Sequence, residues 1–573
     1  MNTLRLAAAS VAAALISTAS AQQPPTTWQW IGGAQGWPQE RSGRAIHWVH
    51  VPPTNPAMGN RGKIIFWGRN NFGDSGVRPH TWTPAMAWES GFGTFGRTLP
   101  EPFSLTYEAF CCGQTLMEDG KIAITGTNFN SDHVPLRYVA TYNPATNMWL
   151  ESPESYWLNK ARYYPTTIRM PGGRIGTFAG QAMEDDPDTP GDETAFVVEP
   201  FEMNPSVTNL LAPWLMPELD DYDLLNYPFI YPISATEVFF AGGGRHHGTG
   251  GLESYDTFTF DTSGASIGGR IPYGGNADLW HGTPIMYKPG FVLVTGDVES
   301  RDPNNEPDPF TGKRYGGTID RMEATTNTQI IDITQTMLGS LWTYKADMNS
   351  LRIDHNMAVL PTGRVFAAGA TKYHGRCGLQ NHAPWCRELT ANWVQSAEIW
   401  NPVTDIWTSV AAIGTILNPV FRGYHSTIGL LPDARVYLGG GDVGWPTEYS
   451  TQPPSAQIYL PDYAPGTRPE ITAGPDQIAI GSANNTVTVS NSNVNQACLI
   501  ALGAITNSVD MNARYIPVTL GGTGLVKSFS GPVSNVVAPY GWYMLFVLKP
   551  GDNGQPLRCK MAKYVKIVPP ADS

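Results

Sequence analysis

A paired-strand unit recurs along the chain: an apolar strand, a tight turn, a second apolar strand and a terminal glycine. Clear copies are CGQTLMEDGKIAITG ending at Gly126, YPTTIRMPGGRIGTFAG ending at Gly180, HGTPIMYKPGFVLVTG ending at Gly296, HNMAVLPTGRVFAAG ending at Gly369 and HSTIGLLPDARVYLGGG ending at Gly441. YPFIYPISATEVFFAGG is a looser copy, and KIIFWG, ending at Gly68, a weaker early one. Successive copies lie about 50 to 75 residues apart, too far and too unevenly for a solenoid. A repeat of strands at that period predicts a seven-bladed β-propeller, in which each sheet packs on its neighbours around a central channel. NPATNMW and NPVTDIW follow two copies, where outer-strand turns of a blade belong.

Composition agrees with strands and turns rather than helices. The 573 residues include 60 Gly and 48 Pro, and helical periodicity is scarce. The net charge of -12, with 15% charged residues and no basic run, argues against nucleic acid and against an anionic membrane surface as partners. No segment is continuously apolar over the ~20 residues that a membrane span needs. The opening residues read as a signal peptide over 1–21: Arg5, then a short Ala-, Val- and Leu-rich stretch, then Ala19-Ser20-Ala21. The mature chain is therefore expected to be secreted or periplasmic, and a monomer by default. Of six cysteines, Cys377 with Cys386 and Cys498 with Cys559 are the expected disulfides.

From about residue 466 to 573 the pattern changes to AIGSANNTVTVSN and WYMLFVLKP, alternating apolar and polar residues as in an immunoglobulin-like β-sandwich. The expected organisation is an all-β chain, with a kelch-type propeller over 22–465 and a C-terminal sandwich over 466–573.

Register within the repeat singles out a set of residues. Eight positions before the first turn residue stand Cys111, Tyr164, His281, Asp354 and His425, and in the looser copy Asn226. In a propeller these equivalent positions cluster at one end of the channel. Hydrated polar groups are the ordinary content of such a place. Thiol, phenol and imidazole together also suit copper, which takes N and O donors. A phenol ionises near pH ~10 in water, and a nearby cation lowers that value.

Three motifs at this level resemble the galactose oxidase and glyoxal oxidase family of copper radical oxidases. They are Phe110-Cys111-Cys112-Gly113, Arg162-Tyr163-Tyr164-Pro165 and Arg422-Gly423-Tyr424-His425-Ser426. AQIYLPDYAPGTRP resembles the family's exit from the propeller, and the layout is closer to the glyoxal oxidase branch. The resemblance implies that Cys111 and Tyr164 form a thioether-linked radical cofactor. It implies copper ligands Tyr164, Tyr424 and His425, with Tyr424 also the proton acceptor. The implied reaction oxidises a primary alcohol or aldehyde, carbohydrates included, while O2 becomes H2O2. The family's second histidine ligand corresponds here to Asn507, and no aromatic stands in Gln181-Ala182-Met183-Glu184, where the family carries a stacking residue. An amide oxygen is a weaker donor for Cu(II) than imidazole. Hence the alternative reading is a catalytically degenerate propeller that binds a glycan or protein. Asn226, Tyr227, Trp280, His281 and Asp354 are the expected substrate-pocket residues. Tyr163, off register, is expected to be an ordinary packed aromatic.

Overall fold

The computed structural model describes residues 28–31, 37–38, 44–53, 61–69, 79–86, 93–98, 105, 107–127, 137–185, 193–197, 201–204, 214–215, 226–242, 256–263, 266–272, 277–278, 282–299, 321–334, 342–375, 388–441, 454–461, 466–551 and 555–570. The signal-peptide residues, Trp280, His281, Cys377 and Cys386 lie outside the described residues, so the expectations placed on them stay as stated.

Innermost strands carry near-continuous apolar or small residues because both of their faces are covered. Gly113–Leu116 and Ile122–Thr125 are buried at every position. The outer strand Met148–Glu151 buries only Trp149 fully, which is the alternation expected of a half-solvated strand. These strands form one sheet in chain order with Val139–Asn143 between them. Seven sets of four strands with this antiparallel arrangement occur among the described residues. In one of them the N-terminal strand Gln29–Ile31 pairs with Ala456–Tyr459, closing the ring with the two ends of the propeller.

The NPxTxxW segments are the outer turns. The Asn143 side chain accepts the Ala145 N–H at 3.0 Å and Asn401 accepts that of Val403 at 3.0 Å, so each asparagine mimics a turn of backbone. The tryptophan that follows ties one blade to the one before it. Trp149 Nε1 donates to Thr98 Oγ1 and Trp407 Nε1 to Thr328 Oγ1.

Three buried arginines repeat at the inner seams. Arg162, Arg352 and Arg422 donate through Nη1 to the carbonyls of Ala179, Gly369 and Gly440, at the end of each blade's second strand. The terminal glycine of the blade before lies against the arginine's own carbonyl. At Gly369 (φ 74°) a Cβ would come within 1.7 Å of Arg422 O, so both the turn and the close approach require glycine.

The C-terminal unit is a two-sheet sandwich, as its alternation suggests. One sheet holds Ile471–Ala473, Asn485–Val489 and Val526–Phe529; the other is built on Gly541–Pro550, with Gln496–Ala501 and Lys563–Val568 beside it. Between Gln496–Ala501 and Tyr515–Thr519 the chain leaves the sandwich as a hairpin, Ala504–Thr506 with Val509–Asp510. This hairpin extends a propeller sheet, pairing Ala504–Thr506 with His47–Val49 of the innermost strand. The expected bridge between Cys498 and Cys559 is not formed. Both are free thiols, and Cys498 Sγ instead lies 3.4 Å from the carbonyl of Pro361, across the interface with the propeller.

No helix among the described residues is long and apolar enough to cross a membrane.

Candidate functional site

Each inner hairpin is entered through a residue held in the left-handed region. Turn-closing bonds run from the N–H of Met117, Met170, Ile233, Leu360 and Leu431 to the carbonyl four residues on. Six residues before each donor stand Cys111 (φ 64°), Tyr164 (φ 61°), Tyr227 (φ 48°), Asp354 (φ 55°) and His425 (φ 62°). A non-glycine residue there costs about 1–3 kcal/mol and persists only where its surroundings enforce it. Equal strain at one register position in five blades marks this level of the channel as the place where chemistry-bearing side chains are presented. In the looser copy that position is Tyr227. Asn226 lies one residue earlier and is a correction to the sequence register.

The strained backbones are linked. Tyr164 N donates to Cys111 O at 3.0 Å, and Tyr227 N to Tyr164 O at 2.8 Å. The Cys111 N–H is received by His47 Nε2 at 3.0 Å and that of His425 by Asn507 Oδ1 at 3.1 Å. Asn507 and Ser508 form the two-residue hairpin turn with φ of 45° and 66°, a type I′ geometry that asparagine tolerates well. The oxygen expected as a metal donor thus serves the backbone of His425, and Asn507 acts on the site through that residue.

Three donors converge. The hydroxyls of Tyr164 and Tyr424 are 2.8 Å apart, and Tyr164 Oη is 3.2 Å from His425 Nε2. All three residues are buried. The Tyr424 ring stacks on the His425 imidazole at 3.8 Å, with Trp393 and Phe421 packed behind it. The Cys111 thiol lies close to Tyr164 and Tyr163, in one buried cluster with both. Burial raises the pKa values of the Tyr164 hydroxyl and the Cys111 thiol above their ordinary range, so both hold their protons at neutral pH.

Sequence reasoning did not anticipate several neighbours. Tyr163, expected to be a packing residue, has its ring centroid 4.1 Å from that of Tyr164 and lies close to Cys111. The Arg69 guanidinium lies 4.5 Å over the Phe110 ring and favours the anionic forms of Cys111, Tyr163 and Tyr164. Both arrive from the fold or from an off-register position, where the repeat carries no signal. The expected pocket residue Tyr227 is fully buried, packs on Tyr164 at 4.9 Å and donates its hydroxyl to Cys112 O at 2.9 Å. It braces the site from within. Asn226 and Asp354 are also buried.

Comparison with known proteins shows what the chain is similar to. Residues 468–563 match the galactose oxidase-like Early set domain. Over 537 residues the chain is 26% identical to galactose oxidase of Gibberella zeae, covering 89% of this chain and 68% of that protein. The chain is thus similar to galactose oxidase along most of its length, and its C-terminal unit matches a galactose oxidase-like domain. It is also 24% identical over 518 residues to a WSC domain-containing protein of Arthroderma benhamiae, covering 87% of the chain and 50% of that protein. A fungal alcohol oxidase of the AA5 family, solved in complex with copper, shares the fold. Its TM-score is 0.67 at 19% identity, with 95% of this chain and all of that chain covered.

On the channel hairpin, Asp510 gives the protein a measurable pH response. Its Oδ1 accepts the N–H groups of Ala504 and Asn512, each at 3.0 Å, which closes the channel hairpin. Burial pushes its carboxyl up to about 6, against an ordinary 3.8. The folded state therefore holds a proton that the unfolded state releases between those values. Stability from this group is full below pH 3.8 and declines as pH rises to about 6, by roughly 3 kcal/mol. Asp510→Asn keeps the acceptor oxygen and removes the titration. Urea unfolding at pH 4 and pH 7 is expected to show the variant gaining on the parent at the higher pH. Equal pH dependence in the two proteins would contradict the buried carboxyl.

Proposed function

We propose that this protein is an exported copper-dependent oxidase that converts primary alcohols or aldehyde hydrates to the next oxidation level while reducing O2 to H2O2. The observation that carries the reading is the convergence of Tyr164 Oη, Tyr424 Oη and His425 Nε2 at one buried end of the channel. Two phenols and an imidazole are a competent donor set for Cu(II).

Tyr164, Tyr424 and His425 would hold the metal. Asn507 supports His425 instead of joining them. Copper, when bound, supplies a one-electron partner beside Tyr164 and a positive charge that favours its phenolate.

The chain's own residues divide the remaining work. Tyr424 Oη, 2.8 Å from Tyr164 Oη, is placed to take the hydroxyl proton of a substrate bound beside it. Cys111, against Tyr164, is the thioether partner. Forming that link breaks the S–H bond and one ring C–H bond, makes one C–S bond, and delivers two protons and two electrons to O2 as H2O2. Sulfur on the ring lowers the energy of removing an electron from the phenol, and the buried site excludes water from the oxidised ring. In turnover RCH2OH + O2 gives RCHO + H2O2, and RCH(OH)2 + O2 gives RCOOH + H2O2.

The test is peroxide release by copper-loaded protein across primary alcohols, sugars and small aldehydes. Release that needs both copper and O2 supports the reading. A fully silent panel with copper demonstrably bound would favour the binding-module alternative, in which the commitment of Asn507 to the His425 backbone leaves too few donors for turnover.

A further inference from the structure

The site has a member that none of the motifs contains. His47 lies on the innermost strand of the first blade, His47–Val51, and is fully buried. Its Nε2 accepts the N–H of Cys111 at 3.0 Å, so that nitrogen carries no proton. The neutral ring must then bear its proton on Nδ1, which faces Gln114 Oε1 at 3.0 Å. This fixes the tautomer from a backbone donor whose direction is not in question.

The ring itself is immobilised. It lies flat on Trp67, with centroids 4.9 Å apart and planes 6° from parallel, and meets the edge of Phe110. Trp67 Nε1 in turn donates to the carbonyl of Ala109, two residues before Cys111. Trp67 and His47 thus grip the 109–111 segment from one side at two points. Immediately after the second point the chain makes the left-handed bend at Cys111 (φ 64°), with the thiol close to Tyr164 and Tyr163.

The comparison within the ring shows why a side-chain acceptor is needed there. Tyr164 and Tyr227 give their N–H groups to the carbonyl of the preceding ring member. Cys111 is the first described member of that chain of bonds, and its N–H is received by the side chain His47 instead. A buried N–H left without an acceptor would favour any backbone rearrangement that finds one, and the bend at Cys111 would relax.

We infer that His47 is a positioning residue for Cys111: it holds the cysteine backbone in its strained conformation and so aims the thiol at Tyr164. The consequence for cofactor formation rests on the oxidase reading above; the placement of the thiol does not.

The experiment uses the full chain prepared without copper, so that Cys111 is a free thiol. Alkylation by iodoacetamide is followed by mass spectrometry, with fragment ions separating Cys111 from Cys112. Cys498, a free buried thiol in the sandwich, reports on general loosening in the same sample. His47→Phe keeps a flat ring against Trp67 but offers no acceptor; His47→Gln places an amide oxygen near the lost Nε2. We expect His47→Phe to raise Cys111 labelling by about tenfold with Cys498 unchanged, and His47→Gln to return most of the protection. Labelling of Cys111 in His47→Phe at the parental rate would overturn the inference. So would a His47→Gln rate equal to that of His47→Phe, or a parallel rise at Cys498, which would make His47 a fold residue only. Adding copper and air to the parent protein tests the oxidase reading separately: no crosslink there, with the labelling pattern intact, would sink that reading and leave the placement of the thiol standing.

Discussion

Tyr424→Phe is expected to lower peroxide release about 10²–10⁴-fold while leaving the protein folded, the range lost when a positioned proton acceptor is removed. The ring is a packing element: it stacks on His425 at 3.8 Å and shares a buried cluster with Trp393 and Phe421. Phenylalanine preserves those contacts. What disappears is the hydroxyl 2.8 Å from Tyr164 Oη, and with it both the proton acceptor and one of three converging donors. Steady-state peroxide release beside a thermal melt measures the two effects separately. A variant that keeps a third of parental turnover would show that Tyr424 is not the base. A variant that has lost its cooperative melt would instead assign the residue to packing.

The largest effect on stability is expected at Glu398. Its Oε1 lies 2.7 Å from Arg352 Nη2, and both side chains are fully buried. Its other oxygen accepts two bonds from Asn349, through the backbone N and Nδ2. Replacing it with alanine leaves the Arg352 guanidinium buried with its charge uncompensated, a loss of about 3–5 kcal/mol. The damage is local to the inner seam, because Arg352 also holds the carbonyl of Gly369 at 2.7 Å and precedes Asp354 by two residues. By contrast, the pair Lys563–Asp476 has the same 2.7 Å separation but an aspartate that is 91% exposed. Asp476→Ala is expected to cost under about 1 kcal/mol. Urea denaturation followed by tryptophan fluorescence compares them, and a similar small shift for both would show that the seam does not depend on the ion pair.

The repeat made most of the architecture legible, because each inner hairpin carries its own turn residues and its own terminal glycine. The same regularity placed Cys111, Tyr164, Asp354 and His425 at one level of the channel. The structure supplies the reason: the chain enters each hairpin through the same left-handed bend, a fixed distance before the turn closes. Where the turn has no glycine or proline to mark it, at Ser234–Thr236, the count slipped by one and gave Asn226 for Tyr227. What stayed hidden depends on contacts between distant segments. His47 reaches Cys111 from another blade, Asn507 reaches His425 from the sandwich, and Arg352 finds Glu398 across its own sheet. None has a local pattern to read. Asn507 shows the limit most clearly. Its residue type, set against a motif, suggested a weakened ligand; its φ of 45° and its bond to His425 N show a turn residue that orders a neighbour.

The central claim is that Cys111 and Tyr164 are held together to become one redox group. Protein prepared without copper should yield two separate peptides after digestion, one containing Cys111 and one containing Tyr164. After copper and air, the account expects a single joined peptide, lighter than the sum of the two by two hydrogens, with fragment ions locating the link between the cysteine sulfur and the ring of Tyr164. Two unlinked peptides at saturating copper would contradict it.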